Sequence, residues 1–218
     1  NIAIGRLALS SSQDADNCIA IGYAAINANN DANSDGTVGI GYAALNNVTS
    51  GAGNVGVGYE VLKQVTTGEQ NTAVGFYSLD AEVDGDKSTA VGYQALTAQT
   101  GTSGTVGNTA VGYQAGNNIT TGIENTILGA FSTISAVGGQ NQTVVGSGVT
   151  GTGNNEIALG NTSISAIKAQ VSSITAYSSD ERTKKDIADY DLKGVDFIKE
   201  LSLKTYIYKN PADFPDEI

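Results

Sequence analysis

Oxygen-bearing side chains stand at alternate positions before a glycine in two short runs of the chain. The first run carries Asp31, Asn33 and Asp35, and residues 80–85 repeat the arrangement. Carboxylate and amide oxygens at this spacing are the ligands that calcium-binding loops offer to Ca²⁺. The position of the closing bidentate Glu is occupied by Tyr42 in the first run, so a solvated turn is the alternative. Calcium at Asp31, Asn33 and Asp35 is the metal site that the sequence offers, and no other cofactor is expected.

The other side chains that usually do chemistry are scarce. His is absent, and the single Cys, Cys18, is expected to be a small buried hydrophobe. The chain therefore has no His general base, no Ser-His-Asp triad, no internal disulfide and no thiolate zinc site. The net charge of -11 argues against nucleic acid as a partner. We also expect no membrane insertion, because no long apolar run occurs, and no activity on an external substrate, because the acids are scattered.

The composition changes sharply near residue 180. Residues 1–179 hold 12 acids, 4 bases and 27 of the 28 glycines, whereas residues 180–218 hold 10 acids, 7 bases and both prolines. Such a shift indicates a boundary between two kinds of structure. Because Met is absent, we interpret the sequence as a piece of a longer protein.

Glycine anchors a repeat through residues 1–162. A small residue, Ile or Val, Gly and an aromatic residue recur in order, as in Ala20-Ile21-Gly22-Tyr23. Ten anchoring glycines follow one another at spacings of 17, 19, 17, 17, 17, 20, 17, 17 and 14, at positions 5, 22, 41, 58, 75, 92, 112, 129, 146 and 160. A fixed period near 17 predicts a solenoid of about ten units, each packed on its neighbours.

The three residues before each anchoring glycine alternate in size. The first is β-branched, the third is Ile, Val or Leu, and the middle one is mostly Ala or Gly. This alternation predicts a short strand in every unit, stacked about 4.8 Å from the next. The two longer spacings place their extra residues in turns at Asn27–Asp35 and Thr97–Gly107. The predicted fold class is mainly β, a repetitive parallel β-roll or β-solenoid.

A coil of 17 residues is too short to close a three-sided β-helix. It predicts a flat two-strand roll with one face still uncovered, and the Ile/Val and Tyr columns supply that face. Because self-association about a threefold axis would bury the face, we predict a homotrimer. For the Tyr column, filling of a core or interface is favoured over stacking on sugars.

The repeat units resemble those of two families of fibrous proteins. Asn71-Thr72-Ala73-Val74-Gly75-Phe76 and Asn108-Thr109-Ala110-Val111-Gly112-Tyr113 are similar to repeats of trimeric viral tail fibres. They are also similar to the head repeats of trimeric autotransporter adhesins, which form a left-handed parallel β-roll. The resemblance implies a fibrous, trimeric, all-β rod over residues 1–162.

A second resemblance begins at the composition boundary. The run Ser179-Asp180-Glu181-Arg182-Thr183-Lys184-Lys185-Asp186-Ile187 is similar to the start of the intramolecular chaperone domain of phage tailspikes, tail fibres and endosialidases. Asp186 stands where that family often has Asn. A helix at Leu192–Leu201 and a strand at Leu203–Lys209 are predicted next, so residues 180–218 form a short α+β piece. Residues 163–179 are a connector, for which a β stalk is favoured over a coiled coil.

The second resemblance implies a processing site. In that family the domain trimerises, helps the preceding fibre to fold and then cuts itself off at the Ser–Asp bond. The cut would fall between Ser179 and Asp180, with Ser179 as nucleophile and Lys184 as base, which is chemically reasonable for a Lys of lowered pKa. Residues 180–218 are too few for the whole domain. The alternative is that Ser179 or Asp180 caps a helix whose first turn is solvated.

Together these features predict a structural fibre protein of a phage tail or related virion appendage. It would be extracellular on the virion and would attach to a receptor or glycan of the host surface. The head domain of a trimeric bacterial surface adhesin is the alternative. A depolymerase shaft is a third possibility, although the sequence offers no carboxylate pair for it.

Overall fold

The computed structural model describes residues 1–11, 15–28, 34–101 and 103–166. In these residues the fold is a parallel β-solenoid with almost no helix, which confirms the predicted fold class. The strands are β1 Ile2–Ile4, β2 Ile19–Ile21, β3 Val38–Ile40, β4 Val55–Val57, β5 Thr72–Val74, β6 Gly85–Asp86, β7 Thr89–Val91, β8 Gly104–Thr105, β9 Thr109–Val111, β10 Thr126–Leu128, β11 Thr143–Val145 and β12 Ile157–Leu159.

One sheet contains ten of these strands. Its order is β1-β2-β3-β4-β5-β7-β9-β10-β11-β12, and every neighbouring pair is parallel. Equivalent residues of successive repeats pair directly, for example Thr72 with Thr89. The two longer repeats keep this register, since Ile19 pairs with Val38 and Thr89 pairs with Thr109. The strands occupy the three positions before each anchoring glycine, as the sequence predicted.

The anchoring glycines form a column of close backbone contacts. Nine of the ten have φ between +128° and +149°, a region that L side chains rarely adopt. A Cβ added to Gly75 would lie 2.6 Å from the carbonyl carbon of Gly92 in the next coil. Both the backbone conformation and the stacking of coils therefore require glycine at this position.

The side of the coil opposite the sheet consists of turns. Residues two and four positions after the anchoring glycine are left-handed in most coils, for example Glu60 with φ 48° and Leu62 with φ 49°. A chain that alternates in this way cannot extend into a strand. The predicted second strand of each coil is therefore replaced by a turn over most of the solenoid.

A narrow core fills the space between the sheet and the turns. In the ten-stranded sheet, the middle residue of every strand from β2 to β11 is buried and points inward, as at Ala73, Ala90 and Ala110. Buried Ile and Leu side chains oppose it from the turns, as at Leu45. A Cβ added to Gly56 would lie 3.2 Å from Leu45 Cδ1, so only a small residue fits in the middle of the strand.

A ladder of buried amides runs beside the strands. Asn71 Nδ2 donates to the Gly85 carbonyl at 2.8 Å, and its Oδ1 accepts from the Ser88 backbone N–H at 2.9 Å. Asn125 makes the equivalent bond with its Nδ2 to Gly139, at 2.8 Å. Each amide thus links its own coil to the next and satisfies backbone groups that have no access to water.

The longer repeat at Thr97–Gly107 differs from the prediction. Within it, β8 pairs with β6 in a separate two-stranded parallel sheet, with Gly85 opposite Gly104. The extra residues therefore add backbone pairing beside the core as well as a turn.

The described part of the chain coincides with one compact unit. Contacts divide the chain into Asn1–Ile167 and Lys168–Ile218. Most of the predicted connector, the helix at Leu192–Leu201 and the strand at Leu203–Lys209 lie outside the described residues.

Candidate functional site

The first and third residues of the ten sheet strands form an outward face. All twenty are Ile, Val, Leu or Thr, so the face contains no charged side chain. Several of its members are exposed, from 36% for Val111 to 68% for Ile157. With ten strands about 4.8 Å apart and about 10 Å of strand length, the projected area is roughly 480 Å². That area lies in the range of the largest, often functional, apolar patches of monomers.

An aromatic ladder borders the outward face on the glycine side. It is formed by the residue after each of six consecutive anchoring glycines: Tyr23, Tyr42, Tyr59, Phe76, Tyr93 and Tyr113. The rings are nearly parallel, with centroids 5.3, 4.9, 4.7, 5.7 and 5.0 Å apart in chain order. Each ring is still between 38% and 46% exposed. In the described chain, the ladder therefore lies outside the core.

The stacking of the ladder limits what it can bind. Sugars pack on the faces of aromatic rings. Each interior ring of the ladder has both faces covered by its neighbours, so only its edge and, for Tyr, its hydroxyl remain accessible. This geometry favours contact with a surface over stacking of individual sugars.

A small polar cluster surrounds Tyr59. Tyr77 contacts the Tyr59 ring edge-on, with centroids 5.7 Å apart. Lys63 Nζ lies 3.0 Å from Glu60 Oε2, and this hydrogen bond raises the pKa of Lys63. Desolvation by neighbouring groups, followed by the charge of Glu60, raises the pKa of Tyr59, so its phenol stays protonated at neutral pH.

The two acidic runs do not form a metal centre in the part of the chain that the structure describes. Asp31 and Asn33 lie outside the described residues, and Asp35 Oδ1 accepts from the Asp16 backbone N–H at 2.6 Å. In the described ranges, no three His, Cys, Asp or Glu side chains come together as a possible ion site. Calcium at Asp31, Asn33 and Asp35 therefore stays a prediction.

In the second run, Glu82 is completely buried and binds protein groups. Its Oε1 accepts from the backbone N–H of Val83 and of Gly85, at 2.9 and 2.8 Å. Its Oε2 accepts from Gln99 Nε2 at 2.7 Å, and Gln99 in turn accepts from Asn108 Nδ2 at 2.9 Å. The equivalent position in the preceding coil is Val65. Glu82 thus serves a buried polar network that the sequence repeat did not predict.

Two further titratable groups are partly or wholly buried. Burial raises the pKa of the Cys18 thiol, whose residue is 1% exposed, as expected for a small buried hydrophobe. Burial also raises the pKa of Asp80, although Thr97 Oγ1 donates to Asp80 Oδ1 at 2.7 Å and offsets part of this effect.

The predicted processing site, Ser179 with Lys184 and Asp180, lies outside the described residues. None of the described residues belongs to a helix with the length and apolar character needed to span a membrane.

Comparison with known proteins gives one match. Residues 179–217 match the family described as the chaperone of endosialidase. No curated protein and no solved structure is significantly similar. The match covers the Ser-Asp motif at Ser179 and Asp180 and the residues that follow it, which the sequence likened to this family. A chaperone match directly after a β-solenoid fits a tail-fibre-like protein.

Proposed function

We propose that this chain is the shaft of a phage tail fibre or related virion appendage, followed by the first part of its folding chaperone. The fibre would be extracellular on the virion and would carry host-surface attachment to a receptor or glycan. The observation that supports this most is the match of residues 179–217 to the chaperone of endosialidase, C-terminal to the repeat and separated from it by a short connector. The same match favours the fibre over the adhesin head, which shares only the repeat.

We propose further that the shaft is a homotrimer. The outward face has no charged side chain, and exposed Ile, Val or Leu side chains occur on it in six of the ten strands, β1, β5, β7, β9, β10 and β12. Its projected area of roughly 480 Å² is more than half of the roughly 800 Å² that each partner contributes to a standard interface. Burial of such a face in water is favourable in proportion to its apolar area.

We propose that processing occurs between Ser179 and Asp180. Ser179 would act as the nucleophile and Lys184 would accept the proton of its hydroxyl. The net reaction is hydrolysis of one peptide bond by one water molecule, with a new carboxylate at Ser179 and a new amine at Asp180.

Intact-mass analysis of the full-length protein tests the processing site. The wild type should yield one fragment that ends at Ser179 and one that begins at Asp180. Ser179→Ala and Lys184→Met should stay uncut, whereas the matched neighbours Ser178→Ala and Lys185→Met should still be cut. Absence of a fragment ending at Ser179 in the wild type would show that self-cleavage is wrong for this protein. Cleavage in Ser179→Ala would show that the nucleophile is misassigned.

A further inference from the structure

The aromatic ladder contains two runs of tyrosines with a phenylalanine between them. The first run is Tyr23, Tyr42 and Tyr59, with centroids 5.3 and 4.9 Å apart. The second run is Tyr93 and Tyr113, with centroids 5.0 Å apart. Phe76 is stacked between the runs, 4.7 Å from Tyr59 and 5.7 Å from Tyr93.

We propose that this ladder is a site of oxidative cross-linking, in which tyrosines of consecutive coils couple to dityrosine. One-electron oxidation of a phenol, with loss of its proton, gives a phenoxyl radical that has unpaired spin on the carbons ortho to the oxygen. Two such radicals form a carbon–carbon bond between ortho positions, and the two ring hydrogens then move to the oxygens. With a peroxide as the oxidant and a haem-peroxidase-type catalyst, two tyrosines and one hydrogen peroxide give one dityrosine and two water molecules.

The stacking favours coupling within the chain. The register of the sheet keeps equivalent residues of neighbouring coils side by side, as in the pairing of Ile21 with Ile40 just before Tyr23 and Tyr42. A radical therefore has a second phenol held beside it, and such an arrangement corresponds to a very high effective concentration. Side-chain rotation from about 5 Å is enough to bring the ortho carbons together. Ring exposure of 38% to 46% leaves the edges open to a small oxidant.

Phe76 limits which tyrosines of the ladder can couple to each other. A benzene ring without a hydroxyl does not form a phenoxyl radical, and Phe76 separates Tyr59 from Tyr93. Links are therefore expected inside each run and not between them. Each link would tie one coil covalently to the next, in addition to the hydrogen bonds of the sheet. This inference concerns contacts within one chain and does not depend on the proposed fibre function.

The distribution of basic residues makes the links easy to locate. Arg6, Lys63, Lys87 and Lys168 are the only Lys or Arg residues up to position 168. Trypsin therefore places the first run in peptide 7–63, Phe76 in peptide 64–87 and the second run in peptide 88–168. Tyr77 also lies in peptide 64–87, so Tyr77→Phe is introduced into every protein tested, which leaves peptide 64–87 without a phenol.

The experiment treats the full chain with hydrogen peroxide and a haem peroxidase and follows dityrosine fluorescence and peptide masses. Peptides 7–63 and 88–168 should each lose two hydrogen atoms per link and should not be joined to each other. Phe76→Tyr completes the ladder and should join peptides 7–63, 64–87 and 88–168. Tyr42→Phe should abolish the link in 7–63 and leave the link in 88–168.

Three results would overturn the proposal. The first is dityrosine that joins 7–63 to 88–168 while Phe76 is present. The second is an equal extent of cross-linking within peptides 7–63 and 88–168, measured as loss of hydrogen mass, in the native and in the urea-unfolded chain. Stacking of the rings would then have no role in the coupling. The third is cross-linking only between separate chains. It would appear as multimers on a denaturing gel, while peptides 7–63 and 88–168 show no loss of hydrogen mass from links within one chain.

Discussion

Replacement of Gly75 by alanine tests how the coils stack. Gly75 has φ +141°, and a Cβ built on it would lie 2.6 Å from the Gly92 carbonyl carbon. A residue forced into such a sparsely populated region costs about 1–3 kcal/mol. Relief of the clash also requires the coils to separate, which weakens the bonds Gly75 N–H to Val57 O (2.9 Å) and Gly92 N–H to Val74 O (2.8 Å). At about 0.5–1.5 kcal/mol for each bond, the total loss is about 2–6 kcal/mol.

Gly53 provides the matched control. Its φ is +66°, and the nearest atom to an added Cβ is Gln70 Cγ at 3.7 Å. Gln70 and Lys87 occupy the same position in later coils with φ 58° and 62°, so a side chain fits there. Gly53→Ala should therefore cost only about 1–2 kcal/mol, the usual price of a left-handed conformation.

Urea denaturation followed by far-UV circular dichroism measures the difference. Protein concentration must be fixed, because association contributes to the stability of an oligomer. Repeat arrays can lose coils one at a time, so hydrogen exchange in the coils on either side of the substitution should accompany the denaturation curve. Gly75→Ala should be about 2–3 kcal/mol less stable than Gly53→Ala. Equal losses would refute the conclusion that close backbone approach requires the glycine column.

Three further predictions concern buried polar groups. Asn71→Ala should lower the free energy of unfolding by about 2–4 kcal/mol, because two backbone groups lose their partner. Asn47→Ala, at a half-buried position where the side chain bonds only to Asn46 and Gln64, should lower it by about 1 kcal/mol or less in the same denaturation assay. Asp80→Asn should be more stable than the wild type at pH 7. The raised pKa of Asp80 means that its charged form disfavours folding, and the Asn side-chain oxygen can still accept the hydrogen bond from the Thr97 hydroxyl. This advantage should shrink as the pH falls through the folded-state pKa of Asp80 in pH-dependent urea titrations, and an advantage independent of pH would contradict it. Cys18 should react with iodoacetamide at least about 100-fold more slowly in the native than in the urea-unfolded chain, and equal rates would show that its thiol is accessible.

The sheet of this protein was predictable from its sequence because one local pattern repeats. Residues such as Thr89-Ala90-Val91-Gly92 alternate in size and end in a glycine, and only a stacked strand explains both features at a fixed period. The register follows from the same pattern, since pairing of equivalent residues keeps the glycine column together.

The turn side was not predictable for a physical reason. The left-handed residues there include Leu62 and Glu60, whose types usually avoid that conformation, so composition gives no signal for it. Their backbone N–H groups donate to neighbouring coils, Glu60 to the Tyr42 carbonyl at 2.8 Å and Leu62 to the Ser78 carbonyl at 3.1 Å, and these bonds are not local in sequence. The amide ladder had a visible signal, the Asn before Thr at Asn71 and Asn108, but its direction into the core appears only in three dimensions. Glu82 stands where the preceding coil has Val65, so the repeat pattern gives no prediction of its burial or of its hydrogen-bond partners.

The processing site depends on different evidence. Ser179 and Lys184 come from the chaperone-like pattern, and the family match covers the same stretch. A role for these two residues remains a prediction that the cleavage experiment decides.

The central claim is that a solenoid with an uncharged, apolar outward face works as a self-associated fibre shaft. The most direct test is the molar mass of the full chain in solution, measured by multi-angle light scattering at micromolar concentration. We predict a mass three times that of the single chain. A monomer at that concentration would contradict the proposal, because the outward face would then be stable in water without a partner.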